Sequence, residues 1–342
     1  MRGGRPWGQE LVGRIEEHDL HSPALVGNPL GDPSDRPLLV QLPPGYDDDP
    51  AAAYPSLYLL QGFAGMLGDW PHRRPFSKTT PELVDEAFVR REAPLCIVVW
   101  VDAWTRLGGS QFVDSGGTGN YQRYLCHDVV DFVDAHYRTR RDSAHRGVIG
   151  LSSGGCGAAL AAMSHPEVFG AFASHAGDAA FELSLLPDLA AAYRILRDRY
   201  DRSFAAWCRA REAPEFEPAT DEFALVLVHA LAACYSPDPT GAPTLPFRLS
   251  DGALIPEVWQ RWRDYDPIVV ASRHGEALRS LRAVFLDAGR NDEYRLDLAT
   301  EQFAAVLRAL GAPVHLELFD GTHAGLARRY PRSVAHLARA LA

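Results

Sequence analysis

The chain of 342 residues carries 34 basic and 44 acidic side chains, so its formal net charge is −10. This acidic balance argues against a nucleic-acid-binding protein, which would show a basic stripe. No window approaches the roughly 18 apolar residues of a membrane span, and the first ten residues lack the apolar run of a signal peptide. Five scattered cysteines without a C-x-x-C pair favour reduced, buried thiols in a cytoplasmic protein.

Short apolar runs alternate with helical patterns through the first half of the chain, which is typical of a mainly parallel sheet covered by helices on both faces. Residues 1–11 are interpreted as an N-terminal extension. Only a loop rich in Pro, Gly and Asp separates the first two strands, so we expect them to pair antiparallel at a sheet edge. The predicted strands here are Gly13–Leu20, Pro37–Leu42, Ser56–Leu60, Leu95–Val101 and Arg146–Ile149, and the predicted helices are Pro81–Arg91, Tyr121–Tyr137 and Gly155–Ser164.

The alternation stops after the sixth strand and resumes about a hundred residues later. The intervening segment predicts helices at Phe181–Arg197 and Phe223–Cys234. An insertion between parallel strands lies above their carboxyl ends, so we predict that residues 178–273 form a helical cap over the pocket; a separately placed domain is the alternative. Residues 12–177 and 274–342 form the core, whose remaining strands are Ala171–His175, Ala283–Asp287 and Val314–Phe319 and whose remaining helices are Leu296–Leu310 and Ala324–Leu341.

The six residues Gly150-Leu151-Ser152-Ser153-Gly154-Gly155 join the fifth strand to a helix. Strand, Gly-x-Ser-x-Gly and helix together form a nucleophile elbow, a turn so tight that its flanking positions need glycine. The helix start also places backbone N–H groups where an oxyanion would form. Eight strands with the serine after the fifth predict an α/β-hydrolase fold with Ser152 as the nucleophile.

A serine nucleophile needs a base and an acid, which follow it in this fold in the order acid, histidine. His323 lies in a turn just after the last strand and is the predicted base. The acid should follow the seventh strand, and Asp292 lies far enough into that loop to reach across to His323. Glu293 and Asp287 remain candidates, and Asp178, after the preceding strand, is a minor one.

The oxyanion hole needs a second N–H donor besides that of Ser153, and the loop after the third strand offers Phe63 or Gly62. No H-E-x-x-H motif, paired Cys/His spacing or D-x-D-x-D loop is present, so we expect no metal, and no cofactor motif is found. The residues predicted to line the substrate pocket are Trp70, Trp104, His175, Asp178, Phe181 and Trp259.

Several further segments resemble one family in their order along the chain: residues 42–46 (LPPGY), 54–62 (YPSLYLLQG), 119–121 (GNY), the elbow, 287–292 and 321–323 (GTH). Together they resemble the esterase family of α/β hydrolases that includes S-formylglutathione hydrolase (esterase D), enterochelin esterases and the antigen 85 mycolyltransferases. The resemblance implies a Ser152, Asp292, His323 triad and carboxylic-ester hydrolysis. Gln61 departs from the pattern, because many relatives have histidine before Gly62.

The expected activity is hydrolysis of a small or medium ester through an acyl-enzyme. An acyltransferase with the same triad is an alternative, because an acceptor alcohol can replace water at the same acyl-enzyme. A binding protein that kept the fold without catalysis is the alternative of a different class. The apolar helix Phe223–Cys234 could belong to the cap core or to the contact of a homodimer.

Overall fold

An eight-stranded sheet forms the centre of the protein in the computed structural model, which describes residues 11–213 and 216–342. The predicted N-terminal extension therefore lies, except for its last residue, outside the described residues. Three strands have the predicted bounds and the other five differ by one or two residues at an end. The strands are β1 (Arg14–His21), β2 (Asp35–Leu42), β3 (Ser56–Leu60), β4 (Ile97–Val101), β5 (Arg146–Leu151), β6 (Ala171–His175), β7 (Ala283–Gly289) and β8 (Val314–Phe319).

The strand order in the sheet is β1-β2-β4-β3-β5-β6-β7-β8. Strand β2 runs antiparallel to both of its neighbours, β1 and β4, and all other neighbouring pairs are parallel. The predicted antiparallel pair at the sheet edge is thus confirmed. This order and this mixture of directions are those of the predicted α/β-hydrolase fold.

Side chains of the central strands alternate between two apolar layers. In β3, Leu57 and Leu59 join the layer on one face, and Tyr58 and Leu60 join the layer on the other. Strands buried on both faces are expected to be apolar throughout, which explains why these strands read as continuous apolar runs rather than as alternating patterns. Both faces are therefore covered, as predicted.

Helices α1 and α13 cover one face, while α4 and α12 lie on the other. The last helix buries residues at helical spacing, among them Val334, Leu337, Ala338 and Leu341, which gives it one apolar stripe. The core helices are α1 (Thr80–Val89), α2 (Tyr121–Arg123), α3 (Val130–His136), α4 (Ser153–Ser164), α12 (Leu296–Ala309) and α13 (Tyr330–Leu341).

The predicted helix Tyr121–Tyr137 is not one regular helix. A π-helical segment, Tyr124–Val129, separates α2 from α3. Its buried side chains include Tyr124, Leu125 and Val129. The spacing of apolar residues does not reveal such a local widening of the turn, because the same residues remain on the buried side.

Helices fill the chain between β6 and β7. Predicted helix Phe181–Arg197 is divided at Leu185, because Pro187 in the first turn of the second helix has no N–H to donate to the preceding turn. Helix α8 is buried on most of its surface and packs against α6, so most of its apolar side chains are covered within the chain, whereas Phe223 at its start is exposed. These helices are α5 (Phe181–Ser184), α6 (Leu186–Arg199), α7 (Phe204–Arg211), α8 (Phe223–Tyr235), α9 (Pro256–Arg263), α10 (Pro267–Ala271) and α11 (Gly275–Ser280).

The five cysteines are free thiols; four are buried and Cys208 is half-buried. Within residues 11–213 and 216–342, no helix combines the length and apolarity that crossing a membrane would require.

Candidate active site

The turn between β5 and α4 holds Ser152 in a backbone conformation that L-residues rarely adopt, with φ 55° and ψ −123°. The flanking glycines make this turn possible. A Cβ atom at Gly150 would lie 1.9 Å from the carbonyl oxygen of Gly154, and a Cβ atom at Gly154 would lie 2.3 Å from that of Gln61. The Ser152 N–H donates to the carbonyl of His175 at 2.9 Å, which fixes the turn to the end of β6. The structure therefore has the backbone of a nucleophile elbow at the predicted serine.

The predicted oxyanion loop passes directly over this turn. A Cβ atom at Gly62 would lie 3.3 Å from the Cβ atom of Ser152, a tight contact that shows how closely the loop approaches the serine. Phe63 and Gly62 line the same cavity as Ser152. Helix α4 begins at Ser153, and the first N–H groups of a helix have no partner within it. The three predicted donors thus lie around the nucleophile.

The base and the acid are joined by a hydrogen bond of 2.8 Å between His323 Nδ1 and Asp292 Oδ2. The Asp292 side chain is inaccessible to solvent, whereas that of His323 is 18% exposed and lines the cavity. Asp292 Oδ1 accepts from the N–H of Tyr294 at 2.9 Å, which fixes the carboxylate. Because Asp292 occupies Nδ1, the other ring nitrogen of His323 is available for proton transfer.

The electrostatics of the pair favour a charged imidazole. Burial lowers the pKa of His323, but the hydrogen bond and the negative charge of Asp292 outweigh it, and Asp178 and Glu293 add to the effect. The net result is a raised pKa for His323. A carboxylate that stabilises the imidazolium is what a general base at a serine requires.

The other candidate acids have different positions. Glu293 Oε2 accepts from the backbone N–H of His323 at 3.0 Å, so it holds the turn and not the ring. Asp287 bonds His175, at 2.7 Å. Asp178 lines the cavity, and its N–H donates to the carbonyl of Ser152 at 3.3 Å. The geometry therefore supports Asp292 as the acid.

A cavity of about 690 Å³ opens above Ser152 and His323. Of the predicted pocket residues, Trp70 and Asp178 line it. Burial in this cavity raises the pKa of Asp178 to about 7. Lining residues that were not predicted come from the helices between β6 and β7, from the loop after Asp292 and from two basic segments; they include Leu185, Asp188, Phe223, Leu227, Tyr294, Arg74, Lys78 and Arg328.

Four predicted pocket residues do not belong to the cavity lining, and these predictions are wrong. Phe181 is fully buried against Tyr235, and Trp259 packs against its neighbour Trp262 on α9. Trp104 lies in a two-residue strand of a short hairpin. Position near a carboxyl strand end, or in the segment between β6 and β7, does not reveal whether a ring points into the cavity or into the core. Tyr294, whose ring meets that of His323 edge-on at 5.0 Å, could have been found from its position two residues after Asp292.

The fourth, His175, is inaccessible to solvent and forms a second Ser–His–Asp arrangement. Its Nδ1 lies 2.7 Å from Asp287 Oδ1 and its Nε2 lies 2.7 Å from Ser333 Oγ. Arg329 bonds the other oxygen of Asp287. This buried network joins β6, β7 and α13.

The chain is similar to several known proteins. A model of the family described as "Putative esterase" matches residues 28–324. The chain belongs to this family. Family membership places it among hydrolases and matches the resemblance expected from the motifs. YbbA of Bacillus subtilis (strain 168), a curated protein described as uncharacterized, is 23% identical over 158 residues, which are 43% of this chain and only 58% of YbbA.

Two solved structures show the fold over nearly the whole chain. A ferulic acid esterase is superimposed with a TM-score of 0.62 at 19% identity, covering 97% of this chain and 100% of its own. An S-formylglutathione hydrolase from Agrobacterium tumefaciens has a TM-score of 0.57 at 14% identity, with 98% of both chains covered. Among the residues that the structure describes here, no group of three or more His, Cys, Asp or Glu could hold a metal ion.

Proposed function

We propose that this protein is a serine carboxylic-ester hydrolase that acts through an acyl-enzyme, with Ser152 as nucleophile, His323 as base and Asp292 as acid. The observation that carries the proposal is the hydrogen-bonded His323–Asp292 pair, which opens on the same cavity as a serine held in an elbow. Membership of the esterase family adds to it.

In the acylation step, the Ser152 hydroxyl oxygen attacks the ester carbonyl while His323 takes its proton. The carbonyl oxygen becomes an oxyanion, which the N–H groups of Ser153 and of Phe63 or Gly62 stabilise. Asp292 stabilises the imidazolium and holds its tautomer. Collapse of the tetrahedral intermediate breaks the bond to the alcohol oxygen, and the imidazolium of His323 donates its proton to that oxygen.

In the deacylation step, water takes the place of the departed alcohol. His323 removes a proton from the water as its oxygen attacks the acyl carbon, and the same N–H groups stabilise the second oxyanion. Ser152 then leaves with the proton returned by His323, and the carboxylic acid is released. Every proton in this cycle passes through one imidazole, so the reaction needs no metal and no cofactor.

The cavity suits a small or medium ester. Its volume of about 690 Å³ lies within the range of roughly 300–1,000 Å³ that is usual for small-molecule sites. Leu185, Phe223 and Leu227 supply apolar wall on the cap side. An apolar wall beside a reactive serine favours an acyl or alcohol group with hydrocarbon surface.

The test is to trap the acyl-enzyme. The protein is mixed with 4-nitrophenyl butyrate, quenched in acid within the first turnovers and digested, and the mass of the peptide that contains Ser152 is measured. We expect a butyryl group on this peptide together with release of 4-nitrophenol. Hydrolysis with no acyl group on any serine peptide, or an acyl group on a different serine, would contradict the proposal.

A further inference from the structure

The mouth of the cavity is basic although the chain as a whole is acidic. Arg74, Lys78 and Arg328 line it and are exposed. Lys78 is paired with Glu86, but Arg74 and Arg328 form no ion pair within the described part of the chain. Two guanidinium groups without counter-charges, at the entrance to a reactive serine, form a binding place for an anion.

Two segments far apart in sequence bring these arginines to the lining of one cavity. Residues 74–77 form a turn in which the N–H of Ser77 donates to the carbonyl of Arg74 at 3.3 Å, with Pro75 at the second position. Arg328 lies in the 3-10 turn Leu326–Arg329 that follows His323, and its Nη2 donates to Ser77 Oγ at 3.3 Å. Ser77 thus connects the two arginine segments.

The acidic groups of the cavity lie at other positions. Asp178 and Asp188 are half-buried and lie on the cap side of the cavity. Burial raises the pKa of both side chains, to about 7 in the case of Asp178. Asp69, which also lines the cavity, accepts from the N–H of Met66 at 2.8 Å. No carboxylate lies within ion-pair distance of Arg74 or Arg328 in the described residues, so both arginines are available to a ligand.

We infer that the ester hydrolysed here carries a carboxylate, which Arg74 and Arg328 bind at the cavity mouth while the ester group lies against Ser152. The inference rests on the proposed function and specifies its substrate class. A guanidinium group presents parallel N–H donors that match a carboxylate, so two of them select the charged ester over a neutral one of the same shape.

The experiment uses two pairs of esters that differ only in charge. 4-Carboxyphenyl acetate and 4-carbamoylphenyl acetate place the charge on the alcohol, whereas monomethyl adipate and methyl 5-carbamoylpentanoate place it on the acyl chain. Wild type should prefer the carboxylate in at least one pair by about tenfold in kcat/KM, mostly through KM, since hydrogen bonds to charged groups stabilise complexes by about that factor or more. The preference should decrease with added salt.

The variants Arg74→Ala and Arg328→Ala should each reduce this preference, and the double variant should abolish it. Turnover of the carbamoyl esters should fall less than that of the carboxylate esters, because a neutral amide offers no negative charge to the guanidinium groups. Arg308→Ala, which removes an exposed arginine from α12, is the matched control and should keep the preference. Equal turnover within both pairs by wild type, or an unchanged preference in the double variant, would overturn the inference.

Binding to Ser152→Ala separates this inference from the proposed function. Equilibrium dialysis of each ester against this variant measures recognition without turnover. If wild type hydrolyses none of the four esters, the proposed function fails, yet tighter binding of the carboxylates that depends on Arg74 and Arg328 would still support the anion site. Equal binding of charged and neutral esters would contradict it.

Discussion

Two Ser–His–Asp arrangements lie a few residues apart at the carboxyl edge of the sheet, and only one of them opens on a cavity. In the first, His323 bonds Asp292 at 2.8 Å and shares the cavity with Ser152. In the second, which we call the buried network, His175 bonds Asp287 and Ser333, both at 2.7 Å. The length of the His–Asp hydrogen bond therefore does not distinguish a reactive site from a structural one.

Solvent access and the backbone conformation of the serine distinguish the two arrangements. Ser152 has a φ of 55° and faces both a cavity and a glycine-containing loop, whereas Ser333 lies inside α13 and its hydroxyl donates to the carbonyl of Tyr330 at 3.0 Å. The buried network has no room for a substrate, because His175 and Asp287 have no accessible side-chain surface. The network links the ends of β6 and β7, the strands next to the catalytic segments. The carbonyl of His175 also accepts a hydrogen bond from the N–H of Ser152.

The two serines give the sharpest contrast. Ser152→Ala should reduce kcat/KM for 4-nitrophenyl butyrate by at least about 10³-fold, because the nucleophile is lost while binding remains. Ser333→Ala, assayed at a temperature where it is folded, should keep activity within about tenfold, since it touches no reacting atom. The measurement is steady-state hydrolysis by both variants side by side. Retained turnover in Ser152→Ala would place the nucleophile elsewhere.

The two carboxylates near His323 give the next largest effect. Asp292→Asn should lower kcat by about 10²–10⁴-fold, because the ring of His323 loses both its orientation and its counter-charge. Glu293→Gln keeps the ring contact and should lose less than about tenfold. Rates for both variants with one ester test this ranking. The reverse order would assign the acid to Glu293.

Removing the buried network should lower stability more than activity. His175→Ala removes both hydrogen bonds of a buried imidazole, to Asp287 and to Ser333, so it should lower the free energy of unfolding by roughly 2–6 kcal/mol. Ser333→Ala removes one buried hydrogen bond and should cost roughly 1–3 kcal/mol. Urea unfolding of both variants, with Ser152→Ala as the control, measures these values. Unfolding of His175→Ala at the wild-type urea concentration would show that the network does not hold the fold.

The smallest expected effect is a shift in pH dependence. His323 must be neutral to act as a base, and its pKa is raised above 6.5, so kcat/KM should fall as the pH drops through a value above 6.5. The hydrogen bond and charge of Asp292 contribute most of the rise, so Asp292→Asn should move the acid limb to lower pH, and Glu293→Gln should move it less. pH profiles of the three proteins test this. If the rate of Asp292→Asn falls at the same pH as that of wild type, protonation of His323 does not cause the fall.

Much of the fold and of the catalytic set could be predicted from the sequence, because both depend on local signals. Apolar runs locate the strands, and the glycines around Ser152 are required by contacts as short as 1.9 Å for an added Cβ atom. His323 follows the last strand in a turn, and Asp292 lies at the corresponding place after β7. Both residues follow strands that can be recognised in the sequence, so their positions at the strand ends can be predicted from it.

The pocket was predicted less well, because side-chain direction depends on packing between distant segments. His175 and Trp259 are polar or aromatic residues near the correct edge, yet both point into the core. Arg74 and Arg328 belong to loops 254 residues apart in numbering and meet through Ser77, a contact with no local signal. Pro187 divides one predicted helix, and the π-helical segment interrupts another, although the apolar residues of both have regular helical spacing.

The most direct test of the contrast between the two serines is labelling with a small fluorophosphonate, read by intact mass and peptide mapping. We expect one adduct on wild type, located on Ser152, one adduct on Ser333→Ala, and none on Ser152→Ala. An adduct on Ser333, or labelling that persists in Ser152→Ala, would contradict the assignment of the open site as the catalytic one.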